Sequence, residues 1–197
     1  MCMIKKYVHT TKSNQTITVV DGLFTTAEIV GIHSGILQLP YQIGQSNSAQ
    51  VQNLSDKRMI TKLQPQHLDR FGLFEHEQRQ PTMRQLIPED WEIADAYVNL
   101  GLKSDTQSIH VDAYDRGGDN QYVTYLYYAN DTWQSHWGGE TLFFEDDSDE
   151  IEYVVRPKPG RVVVFDSQIP HLAHIQTTSG PSYRFTIAIK FQKPGAK

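Results

Sequence analysis

The chain is predicted to be mainly β with N-terminal helices, and three observations support this. Helical periodicity is confined to the N-terminal half. From Ala96 onward, short runs rich in β-branched and aromatic residues alternate with turn residues. No helical pattern of useful length interrupts those runs, which argues against a parallel βαβ sheet. The expected architecture is therefore an all-β sandwich or barrel.

The first elements predicted are a strand and a helix. Residues 15–20 alternate β-branched and polar side chains, and an Asp-Gly turn follows them. Thr25 and Glu28 have the spacing of a capping box, so a helix should begin there. Apolar residues recur at helical intervals up to Pro40, which predicts a helix over about 26–38.

Two further segments of the N-terminal half lack a continuous helix or strand pattern. Residues 42–56 are polar and lack periodicity, which is typical of a solvent-exposed loop and also of a mobile lid over a site. The stretch from Arg79 to Asn99 has a second helix-like pattern that Pro88 interrupts.

The remaining elements are short strands. They are predicted at Tyr122–Tyr128, Glu140–Phe144, Glu152–Val155, Arg161–Phe165, His171–Gln176 and Arg184–Phe191. Trp133, Trp137 and the glycines 138–139 lie between them. We interpret the tryptophans as packing residues and the glycines as the site of a bend or bulge.

Length and composition indicate one ordinary globular domain. At 197 residues a second independent core would be cramped. The hydrophobic fraction of 39% and the net charge of −5 are typical of a packed protein. No apolar run of about 18 residues exists and the N-terminus lacks a secretion signal, so a cytoplasmic protein without a membrane partner is expected.

The charged residues and the cysteine restrict the chemistry. Positive charges are scattered and outnumbered by acids, so nucleic acid is not an expected partner. Cys2 is the only cysteine, which rules out a thiolate metal cluster within the chain. A bound metal would need histidine and carboxylate ligands.

Such ligands are found in the β-rich half. His110 and Asp112 are two residues apart and would lie on the same face of a strand. Alone this pattern is weak, and a surface His–Asp contact would also explain it. A Pro-Gly turn and an apolar strand then lead to His171. Two imidazoles and one carboxylate are the facial set that binds non-haem Fe(II) and leaves adjacent positions open.

Arg184 completes the predicted site. It opens an apolar strand in which Thr186 should share its face. A buried guanidinium is costly unless it is paired, and a dicarboxylate cofactor would be a natural partner. The alternative is an exposed arginine at the end of a strand.

Together these residues resemble the Fe(II)/2-oxoglutarate-dependent dioxygenases of the prolyl 4-hydroxylase type. The resemblance covers about residues 94–192. Its motifs, in order, are HVD at 110–112, YVTYLYYANDTW at 122–133, WGGETLFF at 137–144, PKPGRVVVFDSQIPH at 157–171 and RFTIAIKF at 184–191.

The resemblance implies a double-stranded β-helix, the cupin-like jelly roll, as the catalytic core at 94–192, with residues 1–93 as a supporting region of the same domain. It implies Fe(II), O₂ and 2-oxoglutarate as cofactor and co-substrates, with ascorbate as a candidate reductant. The implied reaction hydroxylates a C–H bond of an amino-acid side chain or small molecule and releases succinate and CO₂. The substrate would be a small molecule or a peptidyl group; the oligomeric state is left open.

The resemblance also assigns residues. His110, Asp112 and His171 would bind the metal, and no catalytic side chain is expected beyond that centre. Arg184 would pair with the distal carboxylate of 2-oxoglutarate. The other residues implied at the cofactor are Thr186, Tyr128 and Asn99.

The sequence also contains two rival ligands and is compatible in part with three rival functions. His174 would shorten the spacing to Arg184 to ten residues, but the Asp-Ser-x-x-Pro-His approach favours His171. Asp115 has an odd offset from His110 and would face the other side of a continuing strand. The carboxylate at position 112 disfavours halogenation, in which related enzymes have a small residue. The remaining alternatives are a non-catalytic cupin-like metal- or ligand-binding module and a zinc hydrolase, which has no need of Arg184.

Overall fold

The computed structural model describes residues 3–44, 58–74, 79–103, 105, 107–112 and 121–195. Seven elements precede the β-rich half: β1 (Lys5–Thr10), β2 (Thr16–Asp21), α1 (Thr26–Ile36), β3 (Gln42–Gly44), β4 (Arg58–Lys62), α2 (Pro65–Phe71) and α3 (Gln80–Leu86). Seven strands follow: β5 (Glu92–Leu102), β6 (Tyr122–Tyr128), β7 (Thr141–Phe144), β8 (Ile151–Val155), β9 (Val162–Asp166), β10 (His171–Ala173) and β11 (Tyr183–Gln192). A short 3₁₀ helix spans Ser135–Trp137.

The strands form two antiparallel sheets. The major sheet has the order β1-β2-β9-β6-β11-β5-β4-β3, and the minor sheet has the order β10-β7-β8. Every strand pair within them is antiparallel. The predicted mainly β fold is confirmed, and the two facing sheets are those of a jelly roll.

Each face of the major sheet packs on a different cluster of apolar side chains. Along β11, Phe185, Ile187 and Ile189 join a cluster that also contains residues of all three α-helices. Ala188, which points to the opposite face, joins a second cluster between the two sheets, together with Phe143 of β7. The inner face therefore has small and polar positions among the apolar ones, and these positions form the site described below.

The predicted first helix is confirmed. The Glu28 amide donates to Thr25 Oγ1 at 3.3 Å, and the Thr25 amide donates to Glu28 Oε2 at 2.7 Å, so the capping box is complete. Arg79 Nη1 donates to the other Glu28 oxygen at 2.8 Å. The cap thus also attaches α1 to the residue that precedes α3.

The prediction of a helix-like segment over residues 79–99 is correct for its first part and wrong for its second part. The helix ends at Leu86, and strand β5 begins at Glu92, earlier than the expected change of pattern at Ala96. Tertiary pairing decides the conformation here, because β5 lies between β4 and β11 in the major sheet. Strands β1, β3 and β4 and helix α2 were not predicted, and β10 ends at Ala173 rather than Gln176.

Two predictions fall on residues outside this description. They are the lid interpretation of the polar loop at 42–56, of which 45–56 lie outside the description while Gln42–Gly44 form β3, and the rival ligand Asp115. In the described part of the chain, no helix is both long enough and apolar enough to span a membrane.

Candidate metal and cofactor site

His110 and His171 are held against each other by their own backbones. They form an isolated antiparallel bridge in which the His110 amide donates to the His171 carbonyl at 3.0 Å and the His171 amide donates back at 2.9 Å. The two ring centroids are 4.5 Å apart. His110 thus lies beside the first residue of β10, although it is itself outside any strand.

Backbone carbonyls orient both imidazoles. Nδ1 of His110 is 3.0 Å from the Ser108 carbonyl, and Nδ1 of His171 is 2.9 Å from the Ile169 carbonyl. Because a carbonyl can only accept, Nδ1 carries the proton in each neutral ring and Nε2 presents a lone pair. In this tautomer Nε2 can bind a metal, and the hydrogen bond at Nδ1 fixes the orientation of the ring.

Asp112 is the third member of the cluster and is buried. Its amide donates to the Ser167 carbonyl at 2.8 Å, which places it beside the turn after β9. Thr124 Oγ1 donates to Asp112 Oδ2 at 2.9 Å. Asp112 is therefore positioned by hydrogen bonds to both its backbone and its side chain.

The Asp112 carboxyl is held in its ionised form. Burial alone would raise its pKa, but the Lys190 ammonium, and to a lesser degree the neighbouring His171 and His110, outweigh burial and lower the pKa far below the usual range. Lys190 Nζ is 3.1 Å from Asp112 Oδ1, and His171 Nε2 is 3.6 Å from Oδ2. An anion with neighbouring imidazole lone pairs is a suitable donor set for a divalent transition metal.

The three potential ligand atoms of His110, Asp112 and His171 lie within 4.8 Å of one another. His174 is placed differently. Its side chain is 54% exposed and its Nδ1 lies 3.7 Å from Glu140, whereas His171 is buried. The structure thus brings His171, and not His174, next to Asp112.

Arg184 lies elsewhere along the same cavity and is buried. Its Nε donates to the Gly139 carbonyl at 2.8 Å, and its Nη2 donates to Thr141 Oγ1 at 3.3 Å. The guanidinium is 5.3 Å from the centre of the Tyr128 ring. Strand β7 and the glycine before it thereby fix the direction of the guanidinium.

Asn99, Thr186 and Tyr128 are neighbours across three strands. Thr186 of β11 is opposite Asn99 of β5 on one side and Tyr128 of β6 on the other. Asn99 Nδ2 is 3.5 Å from Thr186 Oγ1, whereas Asn99 Oδ1 is buried without a hydrogen-bond partner. Tyr128 donates to the Val155 carbonyl at 3.3 Å and shares a 2.7 Å hydrogen bond with Thr141. This row of three neighbouring residues thus presents two hydroxyl groups and one amide group near Arg184.

A cavity of about 410 Å³, open to solvent, connects the His-Asp-His cluster with Arg184. It lies between the two sheets, on the inner face of β5, β6 and β11. Its lining residues are Tyr97, Asn99, Gln107, His110, Asp112, Thr124, Leu126, Thr141, Phe165, His171, Ala173, Arg184, Thr186 and Ala188. Of the predicted site residues, only Tyr128 is absent from this lining, because its hydroxyl is turned towards β7 and β8.

Sequence reasoning missed four residues that support the site: Thr124, Thr141, Gly139 and Lys190. Thr124 and Lys190 contact Asp112, while Thr141 and Gly139 accept from Arg184. Three of them had a signal in the sequence: Thr124 and Thr141 lie in predicted strands, and Lys190 shares the alternation of Arg184 and Thr186. Gly139 acts through its backbone carbonyl, for which no side-chain pattern exists.

The fold is that of a jelly roll, and its clustered His-Asp-His side chains could hold a metal ion. Residues 97–192 match the family model described as the 2OG-Fe(II) oxygenase superfamily. The resemblance predicted from the sequence is therefore confirmed over this part of the chain. No curated protein matches the chain.

Solved structures share the fold at low sequence identity. A prolyl-4-hydroxylase of Pseudomonas putida is 18% identical with a TM-score of 0.65, covering 93% of this chain and 95% of its own. HygX of Streptomyces hygroscopicus, solved with nickel and 2-oxoglutarate, is 13% identical with a TM-score of 0.66, covering 94% and 84%. A prolyl hydroxylase of Trichoplax adhaerens, solved with a peptide fragment of hypoxia inducible factor, is 16% identical with a TM-score of 0.60, covering 90% and 83%.

Proposed function

We propose that the chain is an Fe(II)- and 2-oxoglutarate-dependent dioxygenase that hydroxylates a C–H bond of an amino-acid side chain or a small molecule. One observation gives this proposal its main support. The potential ligand atoms of His110, Asp112 and His171 lie within 4.8 Å of one another in a cavity that also contains the buried guanidinium of Arg184. In the proposed reaction, one oxygen atom of O₂ enters the substrate and the other enters succinate, with loss of CO₂.

The donor set suits the metal. Both imidazoles present Nε2 because Nδ1 is bonded to a carbonyl, and Asp112 is held as an anion. Two histidines and one carboxylate occupy one face of an iron and leave the other positions open. We therefore assign His110, Asp112 and His171 as the ligands.

The remaining polar groups suit a dicarboxylate. Arg184 offers a planar fork that matches carboxylate geometry, and Tyr128 and Thr186 are hydroxyl groups near it. Asn99 Oδ1, which is buried without a partner, lies in the same row. We assign Arg184 to the distal carboxylate of 2-oxoglutarate, with Thr186, Tyr128 and Asn99 as supporting groups.

The protein's part in the reaction is to bind and orient. Fe(II) and 2-oxoglutarate, when bound, would supply the oxidising chemistry by reducing O₂ at the expense of the keto acid. Gly139 and Thr141 hold the Arg184 guanidinium in place, and Thr124 holds the Asp112 carboxylate. Leu126, Phe165 and Ala188 line the cavity with apolar surface that limits the entry of water.

The class of substrate also remains a proposal. A prolyl hydroxylase solved with a peptide fragment shares the fold, which supports a peptidyl side chain, and the prolyl-4-hydroxylase of Pseudomonas putida shares it as well. The cytoplasmic location and the single-domain organisation expected from the sequence likewise stay predictions.

Anaerobic titration of the apo-protein with Fe(II) and then 2-oxoglutarate tests the function. We expect the weak visible charge-transfer band of iron chelated by 2-oxoglutarate to appear. His171→Ala should abolish the band, whereas His174→Ala, the matched control, should retain it. If well-folded wild-type protein gave no band, the function as a non-catalytic binding module would be favoured instead.

Arg184→Ala separates co-substrate binding from metal binding. This variant should still bind Fe(II), but the 2-oxoglutarate concentration at half-maximal band intensity should rise about ten-fold or more, since a charge-assisted pair is lost. An unchanged requirement for 2-oxoglutarate would remove Arg184 from the site. Detection of succinate with the natural substrate would then complete the assignment.

A further inference from the structure

A second cavity, of about 350 Å³, adjoins the cavity that contains the His-Asp-His cluster. Asn99, Gln107, Ala173 and Arg184 line both cavities, so the two spaces are continuous. The second cavity lies at the end of β5, against the segment that connects β10 to β11. Gln107 and the residues that line only this second cavity have no part in the function proposed above.

Gln176 brings a hydrogen-bond acceptor to the second cavity. Its side chain is 5% exposed, and its Nε2 donates to the Gly101 carbonyl at 3.0 Å. Because a carbonyl can only accept, this contact fixes which end of the Gln176 amide is the nitrogen. The other end, Oε1, is buried and has no hydrogen-bond partner within the described part of the chain. A ligand that donates a hydrogen bond to this oxygen would therefore gain affinity, since a buried acceptor without a partner is destabilising.

Gln107 brings hydrogen-bond donors to the same cavity. The backbone amide of Ala173 donates to Gln107 Oε1 at 3.1 Å. Because a backbone N–H can only donate, the oxygen must be the end of the Gln107 side chain at this contact. The other end is Nε2, which carries two N–H donors. Since Gln107 lines both cavities, it can donate to a ligand that extends from one cavity into the other.

The charges of the lining favour a neutral ligand group. Asp105 and Arg184 both line the second cavity and carry opposite charges. An anion would be repelled by Asp105 and a cation by Arg184. A neutral amide avoids both repulsions. It also carries its donor and its acceptor on separate atoms, whereas a hydroxyl group combines them on one oxygen.

We propose that the second cavity binds an amide group of the substrate, with Gln176 Oε1 accepting from its N–H and Gln107 Nε2 donating to its carbonyl. The inference rests on the proposed function, because it takes the C–H bond that is oxidised to lie near the metal in the adjoining cavity. It makes Gln107 and Gln176 specificity-determining residues. The amide would be either a peptide bond or the carboxamide of a small molecule.

Ligand-detected NMR on protein loaded with Zn(II) and 2-oxoglutarate tests the inference without turnover. The first arm compares end-capped tripeptides, varied at the central residue, with the same sequences in which an ester replaces the peptide bond after that residue. The second arm compares acetamide and benzamide with methyl acetate and methyl benzoate. We expect at least one amide to bind about ten-fold more tightly than its ester, since the ester lacks the N–H donor.

Two variants identify the residues responsible. Gln107→Glu keeps an oxygen to accept from the Ala173 amide but removes the donor, and Gln176→Met removes the acceptor. Each should abolish the preference for the amide, with metal and 2-oxoglutarate at saturating concentrations. Gln38→Glu is the control for the added charge. It makes the same change at an exposed position next to α1, outside both cavities, and should retain the preference.

The outcomes are separable. If wild-type protein binds neither Zn(II) nor 2-oxoglutarate, the proposed function fails and the inference fails with it. If both bind but no amide is preferred over its ester in either arm, the inference alone is overturned. Retention of the preference in Gln107→Glu or in Gln176→Met overturns it as well. The arm in which the preference appears distinguishes a peptide bond from a small-molecule carboxamide.

Discussion

At the scale of single residues, individual contacts fix the position of the Asp112 carboxylate. The carboxylate is buried, and both of its oxygens have partners: Thr124 donates to Oδ2 and Lys190 lies beside Oδ1. Thr124 in turn shares a 2.8 Å hydrogen bond with Ser167, whose carbonyl accepts from the Asp112 amide. Hydrogen bonds to a metal-binding side chain set the direction in which its lone pairs point.

Replacing Thr124 by valine tests this arrangement. Thr124→Val keeps the shape of the side chain but removes the donor to Asp112, and we expect Fe(II) affinity to fall about ten- to hundred-fold. Thr61→Val is a matched control, because the Thr61 hydroxyl is also buried and donates to the Pro40 carbonyl at 2.7 Å, on β4. Anaerobic metal titration measures both. Equal affinities in the two variants would show that Thr124 does not position the ligand.

At the scale of elements, the segment that leads into β7 determines the direction of the Arg184 side chain. Gly139 lies two residues before the short strand β7 and has φ +76°, a conformation that residues with a side chain rarely adopt. A Cβ there would lie 3.1 Å from Arg184 Cδ and 3.0 Å from the Trp133 ring. The sequence-based interpretation of glycines 138–139 as a bend agrees with their positive φ values.

Gly139→Ala is therefore expected to weaken 2-oxoglutarate binding several-fold by displacing the Arg184 side chain. It should also lower the free energy of unfolding by about 1–2 kcal/mol because of the strained backbone. Gly195→Ala is the control, since Gly195 has φ +83° but nothing within 4 Å of its Cβ position. Titration of 2-oxoglutarate and chemical denaturation check both effects. Unchanged co-substrate affinity in Gly139→Ala would contradict the displacement.

An ion pair joins β2 to the segment that enters β9. Arg161 donates from Nε and Nη2 to the two oxygens of Asp21, at 2.9 Å each, and Lys158 Nζ is 3.0 Å from Oδ2. Burial raises the pKa of Asp21, but the Arg161 and Lys158 hydrogen bonds outweigh it, and the pKa falls below the ordinary 3.8. The folded state therefore favours the ionised carboxyl.

Asp21→Asn should lower the free energy of unfolding by about 2 kcal/mol at pH 7, since charge-assisted hydrogen bonds are weakened. The native pKa is lowered, so the ionised group contributes fully above the ordinary pKa and loses its effect as pH falls through the native value. The difference between wild type and variant should shrink correspondingly below about pH 4. Chemical denaturation over this pH range measures it. Glu89→Gln, in the exposed pair with Arg84, should change stability by less than about 0.5 kcal/mol.

At the scale of the whole molecule, the His-Asp-His cluster joins segments that are far apart in the sequence. His171 begins β10 of the minor sheet, while Asp112 contacts Thr124 of the major sheet. The His171 ring also packs on Phe165 of β9, with centroids 4.8 Å apart, and on Phe143 of β7, at 5.9 Å. Ligand binding at this point should therefore stabilise the packing of the two sheets.

Metal is accordingly expected to stabilise the fold. At a free Ni(II) concentration 100 times its Kd, linkage adds about 2.7 kcal/mol to the free energy of unfolding, which should raise Tm by several degrees. The shift should be absent in His171→Ala and present in His174→Ala. Thermal denaturation followed by circular dichroism measures it. An equal shift in both variants would locate the bound metal elsewhere.

Much of the fold could be predicted from the sequence because its signals are local. The capping box of α1 and the alternation in β6 and β11 depend on residues within a few positions of one another. The strand β5 could not be predicted as such over its first residues, because its conformation depends on pairing with β4 and β11. Short β4 and the edge strands β1 and β3 likewise depend on distant partners.

The sequence by itself determined the class of chemistry, since residue types and their order in the chain identify a His-Asp-His set and a downstream arginine. The sequence favoured His171 over His174, and the tertiary structure placed His171 beside Asp112, because burial and the bridge between His110 and His171 are properties of packing. It also placed Lys190 and Thr124 on the same carboxylate. Local patterns encode which face a side chain takes, whereas contact between distant segments exists only after the sheets have formed.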